Sequence, residues 1–134
     1  MLQNKWALVV EDDAHSLVAL SSLLRDLGIR FKRNTTGVNV PEQIHAMIPP
    51  PDFILLDLDL ASVGALTVHR QLQLDAETRD IPVLALGLID DFVLRQKLQR
   101  EGFAAFILKP VPRRSFGDVL QRVLDGEQDW EAAI

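Results

Sequence analysis

The chain has no cysteine among its 134 residues. Without cysteine there can be no disulfide bond, no thiol nucleophile and no cysteine-ligated zinc site, and the composition is compatible with a reducing compartment. The sequence also lacks any apolar run close to the roughly 20 residues that cross a bilayer, and its first residues lack the apolar core of a signal peptide. We therefore expect a cytoplasmic protein that has no membrane partner.

Basic residues are fewer than acidic ones. The formal net charge is −5, from 14 basic and 19 acidic residues. Nucleic-acid-binding domains usually carry a basic surface, whereas this chain has only the short basic group Arg30, Lys32 and Arg33, interrupted by Phe31. That group indicates a solvated edge strand, and we expect no nucleic acid to bind within this chain.

The length and composition fit one globular domain. Hydrophobic residues make up 48% of the chain and charged residues 25%, which are ordinary values for a folded protein. No internal repeat, low-complexity segment or second domain is evident. We predict a domain over residues 1–126 and a C-terminal tail over residues 127–134.

Apolar runs alternate with segments of helical periodicity from one end of the chain to the other, which predicts a parallel α/β sheet. The clearest helix comes last, where apolar residues between 116 and 124 form one stripe. The predicted strands are 6–10, 29–33, 53–56, 83–86 and 103–108.

Charged residues follow three of these strands directly. Glu11 and Asp12 come after the first strand, Asp57 after the third and Lys109 after the fifth. Ligands of open α/β sheets bind beyond the carboxyl ends of the strands, so these side chains are expected to converge at one edge. Carboxylates in close proximity need a cation among them, and an all-oxygen acidic pocket suits Mg²⁺.

These motifs, taken in order, resemble the receiver domain of two-component response regulators. The resemblance rests on residues 9–13, 54–58 and 81–84 and on the pair Lys109-Pro110. It implies a flavodoxin-like (βα)5 three-layer sandwich, with five parallel strands in the order 2-1-3-4-5. It also implies a signalling switch that takes phosphate from a sensor histidine kinase or a histidine phosphotransfer protein.

The resemblance assigns a role to each charged residue. Asp57 is implied as the phosphoacceptor and Lys109 as the cation that pairs with the phosphoryl oxygens. Asp12 is implied as a direct Mg²⁺ ligand, and Glu11 as a group that acts through a water on the metal. Asp57 and the backbone carbonyl of Asp59 would complete the protein ligands.

Several positions depart from the family pattern, namely Ala61, Gly64, Leu88 and two positions of the predicted switch. Gly87 stands where the family expects threonine or serine, and the switch aromatic is Phe106 instead of the commoner tyrosine. A hydroxyl at position 87 would hydrogen-bond a phosphoryl oxygen, so its absence predicts that phosphorylation moves Phe106 and the loop 88–91 only partly.

Two other functions compete with this interpretation. A degenerate receiver, acting as an interaction module without phosphorylation-driven switching, is favoured by Gly87 and opposed by the acidic pocket and Lys109. A phosphatase of the haloacid dehalogenase type is suggested by the spacing of Asp57 and Asp59. Those enzymes carry that motif on an N-terminal strand and need more chain, so we expect no turnover enzyme.

The remaining polar candidates are interpreted as structural. Asp13 is predicted to cap the first helix, and His15, His45 and His69 are predicted to be surface residues. By resemblance, the face of the fourth helix, fifth strand and fifth helix is a possible homodimer surface. Its predicted exposed residues are Arg95, Gln99, Arg113 and Arg122.

Overall fold

The computed structural model describes residues 2–128 and 130, and strands and helices alternate throughout this part of the chain. Each predicted strand is present, and a helix follows each of them. The elements are β1 (Trp6–Val10), α1 (Ala14–Asp26), β2 (Arg30–Asn34), α2 (Val40–His45), β3 (Phe53–Asp57), α3 (Ala65–Leu74), β4 (Val83–Gly87), α4 (Phe92–Glu101), β5 (Ala105–Leu108) and α5 (Arg113–Leu124).

The five strands form one parallel sheet in the order β2-β1-β3-β4-β5. This confirms the predicted three-layer flavodoxin-like fold and its strand order. The strand order reverses at β1 and β3: β2 lies on one side of β1, whereas β3, β4 and β5 follow one another on the other side. Val10 of β1 pairs with Leu56 of β3. Such a reversal opens a crevice at the carboxyl ends of the strands, where Glu11 and Asp57 lie.

Two hydrophobic cores cover the two faces of the sheet. On one face, α1 and α5 pack Leu24 and Leu120 against the strands. On the other face, α2, α3 and α4 contribute Ile44, Leu72 and Leu98. The central strands are thus buried on both faces, which explains why they are continuous apolar runs in the sequence.

The strand ends differ slightly from the prediction at the positions that matter for the site. Asp57 and Gly87 are the last residues of β3 and β4, because Asp57 pairs with Leu86 and Gly87 pairs with Leu108 in the ladder. The phosphoacceptor candidate therefore stands on the sheet itself. A rigid strand holds a reacting group more firmly than a loop does.

The predicted cap of α1 is confirmed. Asp13 has an extended backbone, and its Oδ2 accepts the Ser16 N–H at 2.8 Å. This hydrogen bond also lowers the pKa of Asp13. Asp13 therefore serves the helix end, in contrast to the neighbouring Glu11 and Asp12.

The surface prediction for His69 is wrong. This side chain is fully buried and stacks on Phe103 with ring centroids 3.9 Å apart. It lies one residue after Val68 and three before Leu72, both buried, so the inward face of α3 is wider than the leucine pattern indicates. His15 and His45 are exposed, as predicted.

The predicted C-terminal tail lies partly outside the described residues. Asp129 and residues 131–134 belong to that outer part, and the boundary at residue 126 stays a prediction. Across residues 2–128 and 130, no helix has both the length and the apolar character needed to cross a membrane.

Candidate functional site

Three carboxylates meet at the carboxyl edge of the sheet. Glu11 and Asp12 follow β1 and Asp57 ends β3, and one oxygen of each lies within 4.8 Å of the others. The adjacency of β1 and β3 brings them together, although 45 residues lie between Glu11 and Asp57 in the sequence. Glu11 and Asp57 are buried, and Asp12 is exposed.

Lys109 bridges the two buried carboxylates. Its Nζ donates to Glu11 Oε1 at 2.6 Å and to Asp57 Oδ1 at 3.0 Å, and it lies 3.4 Å from Ser16 Oγ. The Lys109 N–H donates to the Gly87 carbonyl at 2.8 Å, and the following peptide bond to Pro110 is cis. The hydrogen bond to Gly87 holds the lysine backbone beside β4, and the side chain reaches into the acidic pocket.

The pocket brings three carboxylates together with one ammonium group, that of Lys109. The pKa of Glu11 is raised to about 7: burial and the neighbouring Asp57 raise it, and the hydrogen bonds from Lys109 and from the Asp13 N–H lower it. Burial opposes the charge of Lys109, but the hydrogen bonds to Glu11 and Asp57 outweigh it and raise the lysine pKa. A second cation would therefore stabilise the ionised pocket.

Backbone N–H groups fix the orientation of each carboxylate. Glu11 Oε2 accepts the Asp13 N–H at 3.2 Å, and Asp57 Oδ1 accepts the Asp59 N–H at 3.1 Å. Asp12 Oδ2 accepts the Ala61 N–H at 2.8 Å, which ties the loop after β1 to the loop after β3. No sequence pattern predicts this last bond, because it depends on the path of a loop that has no regular structure.

The two oxygens of Asp57 differ in their surroundings. Oδ1 accepts from both Lys109 and Asp59. Oδ2 has no hydrogen-bond donor within residues 2–128 and 130. A carboxylate that is held through one oxygen can act as a nucleophile through the other.

Phe106 lies beside Gly87 and is only 2% exposed. A Cβ atom at position 87 would stand 2.9 Å from Cε1 of this ring, closer than real Cβ contacts come. The Phe106 ring therefore fills the space that a side chain at position 87 would occupy. The sequence identified both residues but not this contact between them.

Two of the arginines predicted on the α4-β5-α5 surface form ion pairs within the domain. Arg95 is only 15% exposed: it pairs with Asp90 at 2.5 Å and lies over the Phe106 ring at 5.1 Å. Arg113 is exposed, as predicted, and pairs with Asp26 of α1 at 2.5 Å. The outward prediction was wrong for Arg95 because its long side chain folds back onto an aromatic ring. Gln99 is exposed, as predicted, and Arg122 is half-buried.

Exposed apolar side chains follow the site along the chain. They are Leu88 and Ile89 in the loop after β4, and Phe92 and Val93 in the first turn of α4, each at least 64% exposed. Clustered exposed apolar residues often mark a protein-contact surface.

Comparison with known proteins agrees with this geometry. The model of the response regulator receiver domain matches residues 7–121. The polar-differentiation response regulator DivK of Brucella ovis is 28% identical over 121 residues, which are 90% of this chain and 97% of that protein.

Solved structures share the fold. A response regulator from Desulfuromonas acetoxidans matches with a TM-score of 0.80 at 21% identity, covering 90% of this chain and 97% of that one. The receiver domain of the sensor histidine kinase PA1611 from Pseudomonas aeruginosa has a magnesium ion coordinated in its active site cleft. It matches with a TM-score of 0.80 at 23% identity, covering 90% of this chain and 98% of that one.

Proposed function

The chain belongs to the response regulator receiver domain family, and we propose that Asp57 is its phosphoacceptor. Receiver domains are signalling domains of two-component systems, and this chain is one of them by its match over residues 7–121. The observation that carries the residue assignment is the position of Lys109, whose ammonium holds Oδ1 of Asp57 while no described residue donates to Oδ2.

The proposed step is a phosphoryl transfer from a phosphohistidine of the partner. A bond forms between an Asp57 oxygen and phosphorus, and the bond between phosphorus and the imidazole nitrogen breaks, with its electron pair staying on that nitrogen. The product is an acyl phosphate. Such transfers depend on positioning the reacting groups and on neutralising the phosphoryl oxygens. Lys109 is placed for both, because its ammonium group lies 3.0 Å from Asp57 Oδ1.

The residues of the pocket fit Mg²⁺. All three candidate side chains offer oxygen, and their oxygens lie within 4.8 Å of one another. Asp12 would bind directly, since only its Oδ2 is engaged. Both oxygens of Glu11 are already hydrogen-bonded, which supports a role through a water. Asp57 and the backbone carbonyl of Asp59 complete the proposed set, and the ion would neutralise phosphoryl oxygens.

The proposed donor is a sensor histidine kinase or a histidine phosphotransfer protein. The face of α4, β5 and α5 is the proposed homodimer surface, and the exposed Phe92 and Val93 on α4 support it. A cytoplasmic location is also our proposal, supported by the absence of cysteine.

Intact-mass measurement after incubation with acetyl phosphate tests the proposal. We expect one phosphoryl adduct that requires Mg²⁺ and that is lost in Asp57→Asn. Asp80→Asn is the matched control, because Asp80 is an exposed carboxylate that precedes β4 at the opposite edge of the sheet. The absence of any adduct on the parent protein would instead support an interaction module that works without phosphorylation.

A further inference from the structure

The ring of Phe106 occupies the volume that a side chain at position 87 would need. A Cβ on Gly87 would meet Cε1 of the ring at 2.9 Å, and Cζ of the ring and Cδ1 of Leu58 at 3.3 Å each. Gly87 does not belong to the described glycines with positive φ, so its backbone would accept a side chain. The requirement for glycine is therefore one of space: the buried ring and a side chain at position 87 exclude each other.

Arg95 closes the outer side of the same ring. Its guanidinium lies 5.1 Å from the ring centroid. Nε and Nη2 donate to the two Asp90 oxygens at 2.5 and 3.1 Å, and Nη1 donates to the Trp130 carbonyl at 3.1 Å. This bidentate ion pair holds the guanidinium over the ring. Moving the guanidinium would break the charge-assisted hydrogen bonds and the cation–π contact together.

Only backbone connects the acidic pocket to this ring through β4. Asp57 is paired with Leu86 in the ladder, and the next residue, Gly87, offers no side chain toward either Asp57 or Phe106. The polar contact of Gly87 with the pocket is its carbonyl, which accepts the Lys109 N–H. A new group on Asp57 shifts the ring only if it contacts the two ring positions differently, and no side chain at position 87 provides such a contact.

We propose that Phe106 is locked in its buried position: Gly87 leaves the space that the ring fills, and the Arg95–Asp90 pair covers its outer side. The surface formed by α4 and β5 is then the same before and after a phosphoryl group is added to Asp57, and this replaces the partial movement of Phe106 that the sequence alone predicts. Phosphorylation is read in the loops around Asp57 instead. The statement about phosphorylation rests on the proposed function; the lock itself does not.

The first experiment tests the lock in the unmodified protein, by NMR of selectively labelled phenylalanine rings. We expect Gly87→Ala to displace the Phe106 ring and to shift its signals. Gly64→Ala is the matched control, because a Cβ there meets only Thr67 Oγ1 at an ordinary 3.7 Å. Phe106 signals in Gly87→Ala that match those of the parent would overturn the lock.

A second variant covers the case in which Gly87→Ala does not fold. Arg95→Met keeps the aliphatic stem and removes the guanidinium, so we expect the Phe106 signals to shift and the ring to gain exposure. Arg113→Met is its control, because that arginine is 64% exposed and pairs with Asp26 on α1. Equal Phe106 signals in both methionine variants would count against the cover.

Beryllofluoride with Mg²⁺, a mimic of the phosphoryl group, tests the independence of the ring. We expect the amide signals of Asp59 and Ala61 to shift, while those of the Phe106 ring and the Arg95 Nε–H stay in place. A ring shift as large as that in Gly87→Ala would overturn the proposal. Unchanged Asp59 and Ala61 signals would refute the phosphoacceptor role alone, and the substitutions above still decide the lock.

Discussion

The buried histidine on α3 should make the stability of this domain depend on pH. His69 is fully buried against Phe103, and its Nδ1 has no hydrogen-bond partner among the described residues. Burial lowers its pKa; the charge of Glu101 raises it and that of Arg70 lowers it. The folded protein therefore holds His69 neutral at a pH at which the unfolded chain would already protonate it.

The sign and the size of this effect follow from proton linkage. An unfolded histidine titrates near pH 6.5. The stability contributed by the neutral ring is present above that value and is lost as the pH falls toward the lower pKa of the folded state. The loss is at most about 1.36 kcal/mol per pH unit, which gives at most about 1.4 kcal/mol between about pH 7.5 and about pH 5.5.

Urea denaturation at these two pH values, on the parent and on His69→Phe, measures the effect. The variant keeps an aromatic ring against Phe103 and should lose less stability than the parent as the pH falls. His15→Gln, a change at an exposed histidine, should behave like the parent. The pKa of Glu11 is raised to about 7, so its contribution to stability is lost as the pH rises through that value. This contribution is the same in all three proteins and does not affect the comparison between them. An equal loss in the parent and in His69→Phe would refute the reasoning.

Three further predictions concern the site and its supporting helix. Asp12→Asn should weaken Mg²⁺ binding, followed by amide shifts, whereas Asp80→Asn should not; equal titrations would contradict the ligand assignment. Lys109→Met should slow phosphate uptake from acetyl phosphate by roughly 10- to 150-fold, the loss of one charge-assisted hydrogen bond of about 1.5–3 kcal/mol; an unchanged rate would remove Lys109 from the transfer step. Asp13→Ala should lower the midpoint of urea denaturation, because the cap of α1 is lost, and leave the phosphate adduct in place; loss of the adduct would show that Asp13 acts in the pocket.

The sheet and the meeting of the charged residues were predictable because each depends on a regular pattern. A strand buried on both faces must be a continuous apolar run, as in β3, and parallel strands place their carboxyl ends at one edge. The positions of Glu11, Asp57 and Lys109 follow from these two rules alone. Their separate chemical roles came from the family resemblance and stay predictions.

The misses share a different cause, since each depends on a contact without periodicity. His69 has a polar side chain but lies on the buried face of α3. Arg95 lies on α4, yet its partners are Asp90 in the preceding loop and Phe106 on β5. The bond from Ala61 to Asp12 crosses between two loops. Sequence spacing carries no information about such pairs until the fold brings them together.

The most direct measurement of the central claim is to map the phosphorylated residue. Acyl phosphates react with hydroxylamine to give a hydroxamate at the modified carboxyl group, which fragmentation mass spectrometry locates in the sequence. After incubation with acetyl phosphate and Mg²⁺, the account predicts a hydroxamate at Asp57 and none at Asp12 or Asp59. A hydroxamate at either of those residues, or none in the chain while the protein is folded and Mg²⁺ is present, would contradict it.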